Sequence, residues 1–145
     1  MLAGQGGGKE ITMTLYLDTN IVIYFIEHHP PWYSKVNARL AKVARGLDAV
    51  VISDLTIAEC LVGPLKAANA AAEADYRTFF ADPAIEILSL TRSACELGAQ
   101  IRADHKFGLI DSLHLAMAAE HRCSSFLTND AKLARCTAIP VEVLI

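Results

Sequence analysis

No apolar run in this sequence approaches the roughly 20 residues that a membrane-crossing helix requires. A basic stretch leading into a long apolar one, the mark of a secretory signal, is missing from the N-terminus. The four cysteines, Cys60, Cys95, Cys123 and Cys136, include no C-x-x-C pair. That argues against a disulfide scaffold or a thiolate zinc site, and for reduced, mostly buried thiols in a cytoplasmic protein. Nor is there an excess of positive charge. With a net charge of −3 and a pI near 5.9, the chain is not one that simply coats nucleic acid. Any contact with nucleic acid has to be local, with some acids neutralised by cations. What the sequence does have is apolar content: 53% of its 145 residues are hydrophobic and 20% charged, enough for one domain with a real core and too much for wholesale disorder.

Residues 1–12 carry Gly4, Gly6, Gly7 and Gly8 with little apolar content and read as a flexible leader, leaving 13–145 as the domain. Residues 14–18 suit a short buried strand. The segment Asn20–Glu27 is rich in β-branched and aromatic residues, which favours a strand. Yet Asp18, Thr19 and Asn20 are all helix-capping types and no glycine supplies a hairpin turn, so a helix is the reading adopted. His28-His29-Pro30-Pro31 ends it. A second helix is predicted over Trp32–Arg45, with Val36, Leu40 and Val43 as its apolar stripe beside the basic residues Lys35, Arg39, Lys42 and Arg45.

Further strands are predicted over Ala49–Ser53, Ile85–Leu88, Ser125–Thr128 and Val141–Leu144. Helices are predicted from Ser53 or Asp54 through Leu61, over about 65–80, from Thr91 to about Asp104, over Ile110–His121 and, briefly, over Asp130–Ala134. Gly63-Pro64 is read as the break between the first two of these. Strands alternating with helices imply a parallel sheet with helices on both faces. Ligands in such folds bind at the carboxyl ends of the strands.

Four acids recur at equivalent points of that pattern. Asp18 lies between two apolar runs, Leu15–Leu17 and Ile21–Ile26. Glu59 sits about a turn and a half into the helix after the second strand. Asp111 opens an otherwise apolar helix, and Asp130 follows the fourth strand. Taken singly, each has an ordinary role: Asp18 and Asp130 as helix caps, Asp111 as a first-turn acid, Glu59 as a solvated side chain. In a parallel sheet such positions can converge on one edge. Two carboxylates about 5 Å apart repel by roughly 3 kcal/mol at an effective dielectric near 20, so four of them require compensation. Oxygen-only ligation suits Mg²⁺ or Mn²⁺ better than zinc, and a carboxylate-held Mg²⁺ is suited to phosphoryl chemistry.

The motifs LYLDTN with Asp18 and Asn20, SDLTIAE with Thr56 and Glu59, LIDSLHLAMA with Asp111, and LTND with Thr128, Asn129 and Asp130 resemble, in order and spacing, those of PIN-domain proteins. The likeness is to VapC-like ribonuclease toxins of bacterial toxin–antitoxin pairs in particular, and it covers about residues 14–144. The resemblance implies a three-layer α/β/α sandwich with a central, mostly parallel five-stranded sheet. It implies Asp18, Glu59, Asp111 and Asp130 as the metal-binding acids, with Asn20 and Thr128 orienting them or a bound water. It further implies one or two Mg²⁺ or Mn²⁺ ions, an RNA substrate cut to a 5′-phosphate and a 3′-hydroxyl, a homodimer, and inhibition by a small antitoxin.

Other residues admit more than one role. His114 lies three residues after Asp111, on nearly the same helical face, and reads either as a ligand or base or as a packing residue that hydrogen-bonds near the site. His28, His29, His105 and His121 are read as surface or loop residues. Arg102 and Lys106, leading towards Asp111, are candidate RNA-phosphate contacts, as is the Lys35 to Arg45 stripe, against the alternative of solvated helix faces. The apolar run Ile21–Ile26 with Trp32 and Tyr33 reads as core or as a groove between the first two helices for an amphipathic partner. A phosphatase of the haloacid dehalogenase type also places an acid after its first strand but requires a second aspartate two positions on, where this chain has Asn20. Two other readings stand beside the metal-dependent ribonuclease: a metal-independent ribonuclease working through two histidines, and a PIN-like module that binds RNA or protein without cutting.

Overall fold

The structure, a computed structural model, describes residues 13–46 and 48–145. The expected flexible leader lies outside the described residues. Five strands and six helices alternate: β1 (Met13–Leu17), α1 (Thr19–Ile26), α2 (Trp32–Arg45), β2 (Asp48–Ser53), α3 (Asp54–Lys66), α4 (Ala70–Ala81), β3 (Ile85–Leu88), α5 (Arg92–His105), α6 (Leu109–Glu120), β4 (Ser125–Thr128) and β5 (Val141–Val143). A 3-10 helix spans Ala131–Arg135 between the last two strands. The sheet runs in the order β3-β2-β1-β4-β5, and every pairing is parallel.

Because β1 is central, both its faces are covered, and its side chains alternate between two cores. Leu15 and Leu17 join Val50, Ile52 and Leu127 under α1, α2 and α4, through Ile21, Val36, Leu40, Tyr76 and Phe79. Tyr16 points the other way, with Val51 and Phe126, against Ile101 of α5 and Leu115 and Met117 of α6. Strands buried on both faces read as continuous apolar runs rather than as alternation, which is how Leu15–Leu17 and Val50–Ile52 appear in the sequence. Among the described residues no helix is long and apolar enough to cross a membrane. All four cysteines are free, three of them buried. Burial pushes the Cys60 thiol up to about 12, with the Glu59 charge adding to the effect.

The ambiguous segment after Asp18 is helical. Asp18 takes extended backbone angles at the N-cap and its side chain accepts from the Thr19 amide, the capping that its residue type favours. The expected break at Gly63-Pro64 is corrected. Helix α3 continues through both residues to Lys66, and the next helix begins at Ala70 rather than near 65. Pro64 lies in the last turn and is buried. The exit is held by the Gly63 carbonyl, which accepts from the Ala67 amide, and by that of Pro64, which accepts from Asn69. The Asn69 side chain then caps α4 by accepting from the Ala72 amide at 3.1 Å.

Helices α5 and α6 pack closely because Gly98 has no side chain. A Cβ there would stand 2.7 Å from Leu113 Cδ2 and 3.4 Å from Leu113 Cα. Leu113 lies between Asp111 and His114, so this contact sets the height of α6 over the sheet. Alanine pushes mainly on a movable methyl and regains helix propensity of about 1 kcal/mol. Valine meets the backbone as well. Gly98→Val is expected to destabilise the fold by about 1–3 kcal/mol, measured as a lower urea midpoint at unchanged slope; an unchanged midpoint would show that α6 is free to shift.

Candidate active site

The site begins where β1 ends. The Asp18 amide donates to the Leu127 carbonyl at 2.9 Å, carrying the pairing of β1 with β4 one residue further. That sets the Asp18 carboxylate beside Thr128, whose hydroxyl donates to Oδ2 at 2.7 Å. The Thr19 amide donates to Oδ1 at 2.9 Å, so both carboxylate oxygens are held. Thr128 Oγ1 also accepts from the Asp130 amide at 3.0 Å, and this one hydroxyl thereby ties two of the four acids together. Asp130 in turn caps the 3-10 helix through the Lys132 amide. Capping and lining the site are therefore joint tasks of Asp18 and Asp130.

Asp18, Thr19, Asn20, Ile23, Glu59, Asp111 and Asp130 line a single cavity of about 260 Å³ at the carboxyl edge of the sheet. The four acids come from the end of β1, the middle of α3, the first turn of α6 and the turn after β4. Their charges act on one another. Asp18, 7% exposed, has its carboxyl pushed above the ordinary range by burial, partly offset by the Thr128 hydrogen bond, with the Glu59 charge adding. Asp111 is raised by burial and then by the Asp18 charge, Asp130 adding and Lys132 opposing. Glu59 goes the other way: burial pushes it up, but hydrogen bonds from His114 and Thr19 outweigh that and hold it below the usual range.

Among the described residues no three His, Cys, Asp or Glu side chains stand close enough, as placed, to grip a metal ion together. Glu59 is drawn towards His114, its Oε1 2.7 Å from the buried Nε2 and 2.6 Å from the Thr19 hydroxyl that donates to it. The donor set nevertheless fits a hard divalent cation in kind: oxygen atoms only, acidic, half-buried, and mutually destabilised without a counter-charge.

A model of the PIN domain matches residues 15–138. The chain belongs to the PIN-domain family. Among curated proteins none matches it. Its fold is similar to VapBC2 from Rickettsia felis, solved bound to a DNA fragment from its promoter, at 23% identity and a TM-score of 0.74, covering 92% of this chain and 100% of the other. A toxin–antitoxin complex from Klebsiella pneumoniae is 23% identical with a TM-score of 0.70, covering 90% and 98%. VapC20 of Mycobacterium tuberculosis, a toxin that cleaves the sarcin–ricin loop, is 12% identical with a TM-score of 0.64, covering 77% and 86%.

Of the site residues read from the sequence of this PIN domain, six lie in or against the cavity: the four acids, Asn20 and, behind Asp18, Thr128. The Asn20 amide bonds none of the described residues. Arg102 and Lys106 do not line it. Arg102 Nη1 donates to the Phe107 carbonyl at 2.8 Å and so closes the loop before α6, and Lys106 ends α5 in the left-handed region with φ 60°. The cation that does reach the cluster is Lys132, its Nζ 3.5 Å from Asp130 Oδ2. In the basic stripe of α2, Arg39 is committed to Glu142 of β5 by two bonds of 2.7 and 3.1 Å, and Lys35 lies over the Trp32 ring. His121, read as a surface residue, pairs with Glu86 of β3 at 3.1 Å. Thr19 was missed. Its signal was position alone, since the residue between two site residues at a helix start shares their surroundings.

Proposed function

We propose that this PIN domain is a divalent-metal-dependent endoribonuclease and the toxin of a toxin–antitoxin pair. The observation that carries the reading is the delivery of Asp18, Glu59, Asp111 and Asp130 by four separate elements into one cavity at the carboxyl edge of the sheet. A Mg²⁺ or Mn²⁺ ion bound there supplies charge neutralisation, a polarised phosphate and a more acidic water. The chain's residues supply the rest. Thr19 and Thr128 fix both oxygens of Asp18. Glu59, kept ionised, would be one of the ligands to that ion. Asp111 and Asp130 line the same cavity, with Lys132 moderating their charge. Attack in line on the phosphodiester leaves a 5′-phosphate and a 3′-hydroxyl.

The antitoxin reading is supported by a groove elsewhere on the surface. It lies between the end of α1 and α4. Its volume is about 820 Å³; Phe25, Ile26 and Phe79 form an apolar floor, and Glu27, Asp75 and Asp82 an acidic rim. A short apolar and basic segment is the complement of such a surface. A homodimer belongs to the same proposal and rests on the family likeness.

End-sequencing of RNA cut by the purified protein tests the enzyme reading. Products with 5′-phosphates, abolished by EDTA and restored by Mn²⁺, are expected. Cyclic phosphates formed in EDTA would instead require a metal-independent, histidine-type reaction, and RNA that is bound but uncut would leave a binding module.

A further inference from the structure

His114 is 1% exposed and lines no part of the cavity, yet both its ring nitrogens are engaged. Nε2 stands 2.7 Å from Glu59 Oε1 and 3.2 Å from Thr19 Oγ1. Nδ1 stands 2.7 Å from the Tyr16 hydroxyl, which is hydrogen-bonded in turn to Ser53 Oγ at 2.7 Å. Tyr16 is in the middle of β1 and Ser53 ends β2. A row of side chains therefore runs from the two central strands, through one imidazole, to a carboxylate on α3. An ionised carboxylate only accepts hydrogen bonds, so it is Nε2 that donates to Glu59.

Glu59 differs from Asp18 in needing such a support. Asp18 is short and stands on the strand end itself. Glu59 has three side-chain torsions and projects from the middle of a helix, so its carboxylate is placed only if something holds it. Thr19 and His114 both converge on Oε1, and Oε2 is the oxygen left for the cavity. We infer that His114 is a positioning residue that fixes Glu59 Oε1 against the sheet and turns Oε2 to the cavity, with Tyr16 and Ser53 holding the imidazole in place. The inference rests on the nuclease reading of the same cavity.

Three variants of the full chain test it: His114→Leu, His114→Gln and Tyr16→Phe. Binding of Mn²⁺ alone is followed by calorimetry, and RNA cleavage under single-turnover conditions. His114→Leu fills the buried space without a donor and is expected to weaken Mn²⁺ binding and to slow cleavage by roughly 10- to 100-fold. His114→Gln places an amide N–H where Nε2 was and is expected to recover both to within a few-fold of wild type. A packing role alone would rank the two in the opposite order, because leucine suits an apolar site better than an amide. Wild-type affinity and rate in His114→Leu, or a leucine variant superior to the glutamine one, would overturn the inference. Should the leucine variant fail to fold, Tyr16→Phe decides: it keeps the ring stacked 5.3 Å from Phe126, loses only the hydroxyl, and is expected to weaken Mn²⁺ binding by about two- to tenfold. Unchanged affinity there would equally overturn it. A wild-type protein that neither binds Mn²⁺ nor cuts RNA would remove the nuclease reading and this inference with it, and would do so before any variant is compared.

Discussion

Asp18→Asn is expected to lower RNA cleavage by at least about 100-fold, the scale of losing one preorganised electrostatic group, and to leave the fold as stable as before or more so. The two effects have one origin. Burial holds the Asp18 carboxyl above its ordinary value of 3.8, which means that the folded protein favours the neutral form. Asparagine is a permanent version of that form. Its Oδ1 keeps the Thr19 amide; what is lost is the hydroxyl bond from Thr128, about 1 kcal/mol net, against the relief of a buried charge. Thermal unfolding and cleavage measured on one preparation check the pair. Retained cleavage would remove Asp18 from the chemistry, whereas a lost fold would show that its hydrogen bonds matter more to stability than its charge costs.

Divalent cation is expected to raise the melting temperature, and more so as pH rises. Asp18 and Asp111 both have folded-state values above 3.8, so the folded chain binds their protons more tightly than the unfolded one. Their contribution to stability is fully present below that pH and is lost as pH climbs through the raised values. Glu59 has the opposite sign: its folded value lies below 4.5, and its contribution is present above that pH and lost on acidification through the folded value. Without metal, the stability gained by Asp18→Asn over wild type should therefore widen from acid towards neutral pH. With Mn²⁺ at a hundredfold excess over its dissociation constant, the wild type should gain about 2.7 kcal/mol, a rise of roughly 10 °C for a domain of this size. Asp111→Asn should gain much less. Equal gains in both proteins would place the ion elsewhere.

Much of this was legible before any coordinates, for reasons specific to the fold. A strand buried on both faces shows as an unbroken apolar run, so β1, β2 and β4 stood out, and polar residues after such runs marked Asp18 and Asp130. Glu59 and Asp111 were legible as acids inside helices that otherwise point inward. At α1 isoleucine and valine prefer strands, but the capping residues before them pointed to the helix that forms. Local punctuation misled at Gly63-Pro64, where α3 runs on through both residues to Lys66. The hydrogen bonds that hold the acids were not legible at all. Thr19, Tyr16, Ser53 and His114 are spread over some 100 positions, and only the parallel register of β1 against its two neighbours brings them together. The basic residues were the least readable: Arg102 and Arg39 are committed to partners that no local pattern reveals.

The central place of β1 has one more consequence. Its neighbours are β2 on one side and β4 on the other, so the cavity is stitched from distant parts of the chain, Asp18 and Glu59 from before β3 and Asp111 and Asp130 from after it. During synthesis from the N-terminus, Asp18 and Glu59 emerge early, while Thr128 and Asp130 follow only after α6 has been made. Until β4 slides in beside β1, Asp18 lacks the hydroxyl that holds its Oδ2. A ribosome that makes this protein therefore carries a chain without a finished cutting site until β4 and Asp130 have been made. If the product is a nuclease, its maker is spared until then.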